Sequence, residues 1–244
     1  MKWLAPLIFL CAAPVAAQNV FLLGETHDNP LHHAEQARLI AEISPTALVF
    51  EMLSPEQAEL VNNSELNAAL GEVIGWEDAG WSDFAMYLPI FTATDALVYG
   101  ARVPRAALMA AIGTDAASVF GEDAEQFGLL QPAPEDMRQE QADAHCGALP
   151  EEMLDGMVEA QRLRDASFAR TTLQALDETG GPVVLITGSG HARIDRGVPA
   201  YIAEARPDLE VYSIGIVELE TDLPFDEVIA TDAAEREDPC NAFR

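Results

Sequence analysis

The chain has 244 residues and 49% of them are hydrophobic, which is enough for one large domain with a sizeable core. Its formal net charge of −28 excludes a nucleic-acid-binding role and disfavours binding to anionic membranes, because both need clustered Lys and Arg. Lys2 is the only lysine. Without its N-terminal segment, the chain therefore offers no lysine for a Schiff base, a pyridoxal phosphate anchor or a phosphate loop.

The first 17 residues have the pattern of a secretory signal peptide. Lys2 precedes an apolar run at residues 3–13, and small residues ending at Ala17 suit cleavage before Gln18. Cys11 follows bulky apolar residues, whereas a lipid-attachment site needs small ones, so no lipid anchor is expected. No second apolar stretch of about 20 residues follows. The pattern predicts a protein that is soluble in the periplasm after cleavage.

Short apolar runs rich in β-forming residues alternate with longer segments of helical spacing. The predicted strands are residues 20–23, 47–50, 96–101, 183–187 and 211–217. The predicted helices include residues 31–43, 55–73, 151–178 and 198–205. Asn29 can cap the first of these helices, and Pro30 suits its first turn. Continuous apolar strands that alternate with helices are typical of a parallel sheet covered on both faces. The predicted fold class is therefore α/β, with a mostly parallel central sheet flanked by helices.

One α/β domain is predicted over residues 18–230, followed by an acidic tail at residues 231–244. Residues 115–150 are acidic and interrupt the alternation, which predicts a helical insertion or lid over the C-terminal edge of the strands. Removal of the signal peptide leaves Cys146 and Cys240. An even number of cysteines in an oxidising compartment favours a disulfide, and two unpaired thiols are the alternative.

Ionisable side chains follow four of the predicted strands where each strand ends. Glu25 and His27 follow the first strand, Glu51 the second, Arg105 the third and His191 the fourth. Parallel strands end at one edge of a sheet, and ligands bind at that edge. Each residue alone has a plainer explanation, such as a helix cap or a solvated strand end. Their coincidence at equivalent positions predicts one site.

The two neighbours His32 and His33 fall in the first turn of the next helix, where we expect them to face solvent or the rim of the site. The chain has no HExxH motif, so a zinc site on a helix is not supported. Neither cysteine of the mature chain lies in a CxxC motif, which leaves a zinc ribbon or a thioredoxin-like motif without support.

The strand-end motifs resemble those of the ChaN-like haem-binding uptake proteins, and further segments match in the same order. That family belongs to a superfamily that includes the TIKI proteases and the erythromycin esterases. The segments are Gly24-Glu25-Thr26-His27-Asp28, Glu51-Met52, Tyr87-Leu88-Pro89-Ile90, Val103-Pro104-Arg105, residues 161–165, Gly188-Ser189-Gly190-His191 and Gly197-Val198-Pro199. The resemblance implies an α/β domain with a helical cap, haem binding associated with iron acquisition, and a possible homodimer. Two departures are the missing lipid-attachment site and Arg102-Val103, where an asparagine often precedes the Pro-Arg pair.

The haem hypothesis has several candidate ligands. Tyrosine and histidine are the side chains expected to hold ferric haem, and an arginine matches a propionate. The cofactor-binding candidates are Tyr87, Arg105, His145 and His191, and His27 and Tyr201 are also chemically able.

The alternative hypothesis is a hydrolase, an esterase or peptidase, that uses the same edge. Its catalytic candidates are Glu25, His27, Glu51, Arg105 and His191. Glu25, His27 and His191 could hold a divalent metal ion that activates water, or a histidine could act as general base without metal. A structural module with a vestigial site is the third possibility, and it leaves the converging polar residues without a purpose.

Overall fold

The computed structural model describes residues 19–219, 221–238 and 240–241. The predicted signal peptide lies outside these residues. The strands are β1 Val20–Glu25, β2 Ala47–Phe50, β3 Leu97–Gly100, β4 Val183–Gly188, β5 Val211–Val217 and β6 Glu227–Ala230. They form one sheet in the order β3-β2-β4-β1-β5-β6, and every pairing is parallel. The predicted parallel α/β fold is confirmed.

Ten α-helices connect the strands of the described chain. They are α1 Pro30–Ile43, α2 Pro55–Asn62, α3 Leu70–Val73, α4 Phe84–Thr92, α5 Arg105–Gly113, α6 Ala116–Phe120, α7 Met137–Ala144, α8 Glu151–Thr179, α9 Ser189–Ala192 and α10 Val198–Ala205. Short 3-10 helices lie at Glu77–Ala79 and Glu122–Ala124. None of the helices in the described residues is long and apolar enough to cross a membrane.

The helices cover the sheet in two layers, each with its own buried core. Val20 and Leu22 of β1 belong to one core and Leu23 to the other, because successive side chains of a strand point to opposite faces. The first core contains residues of α5, α6, α8 and α10. The second contains residues of α1 to α4, among them the fully buried Tyr87, together with the fully buried Trp76 from the segment between α3 and α4. Both faces of the sheet are therefore apolar, as the continuous hydrophobic strands predict.

Two differences from the sequence prediction have local causes. The helix expected over residues 55–73 ends at Asn62, and the side chain of Asn63 donates to the carbonyl of Glu59, closing the last turn. The edge strand β6 was not predicted, because it is short and mostly exposed and so lacks a continuous apolar run.

The expected insertion at residues 115–150 contains α6, a 3-10 helix and α7. The predicted disulfide is formed, and it joins Cys146, just after α7, to Cys240 near the C-terminus.

Candidate functional site

The sheet order brings the predicted strand ends together. In the register of the sheet, Glu25 at the end of β1 lies beside Gly188 at the end of β4. On the other side of β4, Phe50 lies beside Ile186, so Glu51 follows at the same edge. The backbone N–H of Glu51 donates to the carbonyl of Ile186 at 3.2 Å. The two glutamates therefore flank the β4 end that leads into His191.

His27 lies between the two glutamates. Its Nδ1 is 2.8 Å from Oε1 of Glu25, and its Nε2 is 3.3 Å from Oε1 of Glu51. Burial alone would lower the pKa of His27, but the charge of Glu51 and the hydrogen bonds to both carboxylates raise that pKa to about 10. At neutral pH His27 is therefore an imidazolium, and each of its two nitrogens faces a carboxylate, that of Glu25 or that of Glu51. Neither nitrogen is then available to ligate a metal or a haem iron.

Glu25 is buried and has two further side-chain neighbours besides His27. Tyr87 donates its hydroxyl to Oε1 at 2.5 Å, and Nδ1 of His33 lies 3.3 Å from Oε2. Burial would raise the pKa of Glu25, but the hydrogen bonds from His27 and His33 outweigh burial and lower that pKa to about 2. Glu25 is therefore ionised. Tyr87, a predicted haem ligand, is fully buried beneath it and supports this carboxylate.

His33 is a buried counter-ion to Glu25. Its Nε2 contacts the carbonyl of His27 at 3.1 Å, and its Nδ1 contacts Oε1 of Gln36 at 3.2 Å. The amide of Gln36 is oriented by donation from Nε2 to the carbonyl of Leu23. Both ring nitrogens of His33 thus face acceptors, which requires a proton on each. The expectation that His32 and His33 face solvent or the rim of the site is wrong, since both are fully buried. Nδ1 of His32 accepts from the backbone N–H of Thr26, and Nδ1 of His33 faces the carboxylate of Glu25.

Glu51 is held by the end of β4. One oxygen of its carboxylate accepts from the hydroxyl of Thr187 and, at 2.9 Å, from the backbone N–H of Gly188. Burial would raise the pKa of Glu51, but the nearby charges of His191 and His27 lower it well below its usual range. The other oxygen faces His27.

His191 pairs with a residue of the long helix α8. Its Nδ1 lies 2.6 Å from Oδ1 of Asp165 and 3.0 Å from Nε2 of Gln161. Burial raises the pKa of Asp165. Burial alone would lower the pKa of His191, but the charges of Asp165 and Glu51 raise it. Nε2 of His191 has no hydrogen-bond partner among the described residues, so it is the ring nitrogen that can ligate a metal once it has lost its proton.

Two glycines allow the close approach of these side chains. A Cβ at Gly188 would lie 3.1 Å from Nε2 of His27 and 3.9 Å from Cδ2 of His191. A Cβ at Gly197 would collide with the backbone carbonyl of His191. Gly188 therefore leaves the space in which His27 and His191 approach the sheet edge, and Gly197 lets the chain after His191 pass close to its carbonyl.

We call the paired side chains described above the acid–histidine cluster; they are Glu25, His27, His33, Glu51, Asp165 and His191. A cleft of about 590 Å³ opens beside this cluster. Trp81, Phe168 and Leu108 form apolar walls, and Glu51 reaches one side. The ring of Trp81 lies 5.2 Å from that of His27, and the ring of Phe168 lies 5.0 Å from that of His191. We call this space the arginine cleft, since its lining also includes Arg102, Arg105 and Arg164.

These three arginines differ from the other arginines of the described chain. Seven form ion pairs with carboxylates: Arg38, Arg138, Arg162, Arg193, Arg196, Arg206 and Arg236. Arg170 lies over the ring of Phe120 at 4.0 Å. Arg102, Arg105 and Arg164 form no ion pair with a described carboxylate, although the chain has 41 acidic residues. Unpaired cations collected in one partly apolar cleft are suited to an anionic ligand with an apolar body.

The remaining predicted residues are placed as follows. His145 ends α7, where its Nδ1 is 2.8 Å from the carbonyl of Gln141, and neither His145 nor Tyr87 belongs to the described lining of the arginine cleft. Tyr201 lines a different cavity together with Arg162. Within the described residues, no group of three or more His, Cys, Asp or Glu side chains is arranged to hold a metal ion. The predicted metal set of Glu25, His27 and His191 therefore finds no support.

The sequence prediction missed Arg164, Asp165 and Phe168 as members of the site. It expected His33 in solvent or at the rim of the site, and it left Trp81 open between an apolar wall of the site and ordinary core packing. Arg164 and Asp165 lie within the segment at residues 161–165 that carried the family resemblance, which was the one available signal. The others occupy a helix or loop whose orientation only the tertiary structure defines.

The fold and the polar residues at the carboxyl edge of the sheet define a class of protein. It is an α/β ligand-binding domain whose site lies at the carboxyl ends of parallel strands. Comparison with known families is more specific. The chain belongs to the haem-binding uptake family of the Tiki superfamily, the ChaN proteins, whose family model matches residues 11–202. The family resemblance read from the motifs is thus confirmed.

Solved structures agree at the level of the fold. ChaN of Campylobacter jejuni, solved with cofacially bound haem, superposes with a TM-score of 0.65 at 20% identity over 87% of each chain. The type III effector HopBA1 superposes with a TM-score of 0.52 at 10% identity over 88% of each chain. A search of the curated proteins gives no match.

Proposed function

We propose that this protein binds haem in the arginine cleft and takes part in iron acquisition in the periplasm. The observation that carries the proposal is the position of the three unpaired arginines. In a chain with a net charge of −28, Arg102, Arg105 and Arg164 form no ion pair with a described carboxylate and line one cleft. Haem offers two carboxylates on a flat apolar ring, which matches both the cations and the aromatic walls.

Each part of the cleft has a role in this proposal. The guanidinium groups bind the propionates, since their paired N–H groups match carboxylate oxygens. Trp81 and Phe168 contact the macrocycle. His191 does not belong to the cleft lining but lies against Phe168 beside it, and it is the proposed iron ligand. Asp165 holds its Nδ1, so its Nε2 is the nitrogen that binds iron on losing its proton, an arrangement typical of metal-bound histidines. Haem is here a cargo that supplies iron.

Family membership supports the choice of haem over other anionic ligands. The signal-peptide pattern of residues 1–17 supports a periplasmic location without a lipid anchor. The cofacial haem binding of ChaN from Campylobacter jejuni supports a homodimer that forms around haem. Sedimentation with and without haem tests this dimer, and a monomer in both conditions would contradict it.

The main test is a titration of the purified protein with ferric haem, followed by the Soret absorbance. The triple variant Arg102→Ala/Arg105→Ala/Arg164→Ala should bind at least about 100-fold more weakly, because each charge-assisted hydrogen bond contributes roughly 1.5–3 kcal/mol. The matched control is Arg38→Ala/Arg170→Ala/Arg206→Ala. It removes the same charge from positions outside the arginine cleft and outside α7, and it should bind haem like the wild type.

Two outcomes would overturn the proposal. One is the absence of saturable binding by the wild-type protein. The other is an equal loss in both triple variants, which would mean that only the overall charge matters.

A hydrolase that uses the same residues is the second candidate. The observation in its favour is that His191 keeps a free ring nitrogen near the ionised Glu51 and the charged His27, an arrangement suited to general acid–base chemistry. In this case Arg105 would bind an anionic part of the substrate, and Glu25 would keep His27 charged. Turnover of an ester or peptide panel that disappears in His191→Asn would support it. The absence of turnover on every substrate of the panel would contradict the hydrolase hypothesis.

A further inference from the structure

The segment that follows β6 folds back over the site. Nδ2 of Asn29 donates to the carbonyl of Asp232 at 3.0 Å and to Oε1 of Glu218 at 2.8 Å. Arg236 donates from Nε to Oδ2 of Asp28 at 2.8 Å and also pairs with Glu218. Residues 231–238 and 240–241 thus form a C-terminal strap. The strap is bound to the loop that carries His27.

The strap is joined covalently to the helical insertion. The disulfide connects Cys240 of the strap to Cys146, two residues after the end of α7. Through this bond, the strap links the loop after β1 to the end of α7.

Helix α7 lines a second cavity, of about 430 Å³, next to His191. Met137, Glu140 and Gln141 of α7 share this lining with His191 and Asp165. Access to His191 from this side therefore depends on the position of α7.

The other attachments of α7 are weak. Met137 is the only residue of the helix that is buried. Arg193 pairs with Glu140 at 2.7 Å, Arg196 with Asp136 at 2.5 Å, and Arg138 with Asp155 at 3.2 Å. All three carboxylates are more than a third exposed, and ion pairs of this kind contribute little to stability. The disulfide adds a covalent restraint just beyond the end of the helix.

We propose that α7 is a lid over His191 that the Cys146–Cys240 disulfide holds closed, and that reduction by a dithiol opens it. The dithiol supplies two electrons and two protons, the Sγ–Sγ bond breaks, two thiols form and the dithiol becomes a disulfide. The lid controls access to the residue proposed above as the iron ligand. Its test uses no haem, so it can fail or succeed independently of the proposed function.

The experiment compares amide hydrogen exchange in the oxidised protein, the dithiol-reduced protein and the variant Cys146→Ser/Cys240→Ser. Exchange at residues 137–144 should be at least about tenfold faster without the disulfide, while exchange in β4 stays slow. A gadolinium chelate added to protein labelled with ¹³C-histidine should broaden the His191 ring signals more strongly in the reduced form.

Trypsin gives an independent readout. The described residues contain no lysine, and Arg138 is the only arginine of α7. Cleavage after Arg138 should accelerate on reduction, whereas cleavage after Arg164 in α8 should not. The double serine variant treated with dithiol is the control for other effects of the reductant, and it should not change.

Unchanged exchange at residues 137–144 with an intact sheet would overturn the proposal. So would loss of slow exchange throughout β4, because the disulfide would then stabilise the whole fold and not a lid.

Discussion

The acid–histidine cluster and the arginine cleft lie side by side, yet their charges are organised in opposite ways. In the cluster, Glu25 and Glu51 face the imidazolium ions of His27 and His33, and Asp165 faces His191. Each buried charge has a partner of opposite sign. In the cleft, three guanidinium groups have no carboxylate partner among the described residues, in a chain that has acidic residues in excess.

The difference indicates two kinds of role. Buried charges are tolerated only when they are paired and hydrogen bonded, so the cluster is complete without a ligand and gives the sheet edge a fixed geometry. Partly exposed cations without partners add little to the fold, but they are ready to bind an anion. The cluster is expected to respond to mutation mainly in stability, and the cleft mainly in affinity.

The largest expected effect comes from removing a buried partner in the cluster. Glu25→Ala leaves the imidazolium of His33 and the hydroxyl of Tyr87 without their acceptor in a buried site. Breaking a buried ion pair from one side typically costs about 3–5 kcal/mol, so the free energy of unfolding at pH 7 should fall by about that amount. Denaturant unfolding followed by circular dichroism measures it.

Glu42→Ala is the control for this change. Glu42 pairs with Arg38 on the exposed face of α1, and exposed pairs contribute about 0–1 kcal/mol. A loss of less than about 1 kcal/mol for Glu25→Ala would contradict the view of the cluster as a closed set of paired charges.

The second-largest expected effect is on ligand affinity, and it tests the arginine cleft alone. Haem dimethyl ester keeps the macrocycle and the iron but lacks both carboxylates. The wild-type protein should prefer haem over the ester by about 100-fold, because charge-assisted hydrogen bonds contribute roughly 1.5–3 kcal/mol each. In Arg105→Ala/Arg164→Ala this preference should largely disappear, while the free energy of unfolding changes by less than about 0.5 kcal/mol.

The comparison of two ligands in two proteins forms a cycle that separates the arginine–carboxylate interaction from other effects of the mutation. If the variant loses affinity for haem and for the ester equally, the arginines do not bind the propionates.

The two regions also differ in how far they could be predicted from sequence. Glu25, Glu51 and His191 follow strand ends, and parallel topology alone brings such residues to one edge. Arg164 and Asp165 lie on the 29-residue helix α8, whose rotation against the sheet is set by packing and not by local pattern. His33 looked like a surface residue because a histidine pair in a first helical turn is usually solvated. Only the buried carboxylate of Glu25 explains why His33 points inward.

A change of pH is the mildest perturbation, and it should destabilise the cluster both towards acid and towards alkaline pH. The pKa of Glu25 is lowered from its ordinary value of 4.5 to about 2, so its stabilising contribution is complete above pH 4.5 and is lost as the pH falls towards 2. The pKa of His27 is raised from 6.5 to about 10, so its contribution is complete below pH 6.5 and is lost as the pH rises towards 10.

The free energy of unfolding should therefore be highest between about pH 4.5 and 6.5. His27→Gln should be less stable in this range and should show a flatter decline above pH 6.5, because the group that loses its proton there is gone. Its decline below pH 4.5 should remain, since His33 still pairs with Glu25. Denaturant unfolding from pH 3 to 10 tests both limbs. An alkaline decline of equal slope in His27→Gln and wild type would show that His27 is not held as a cation between the two glutamates.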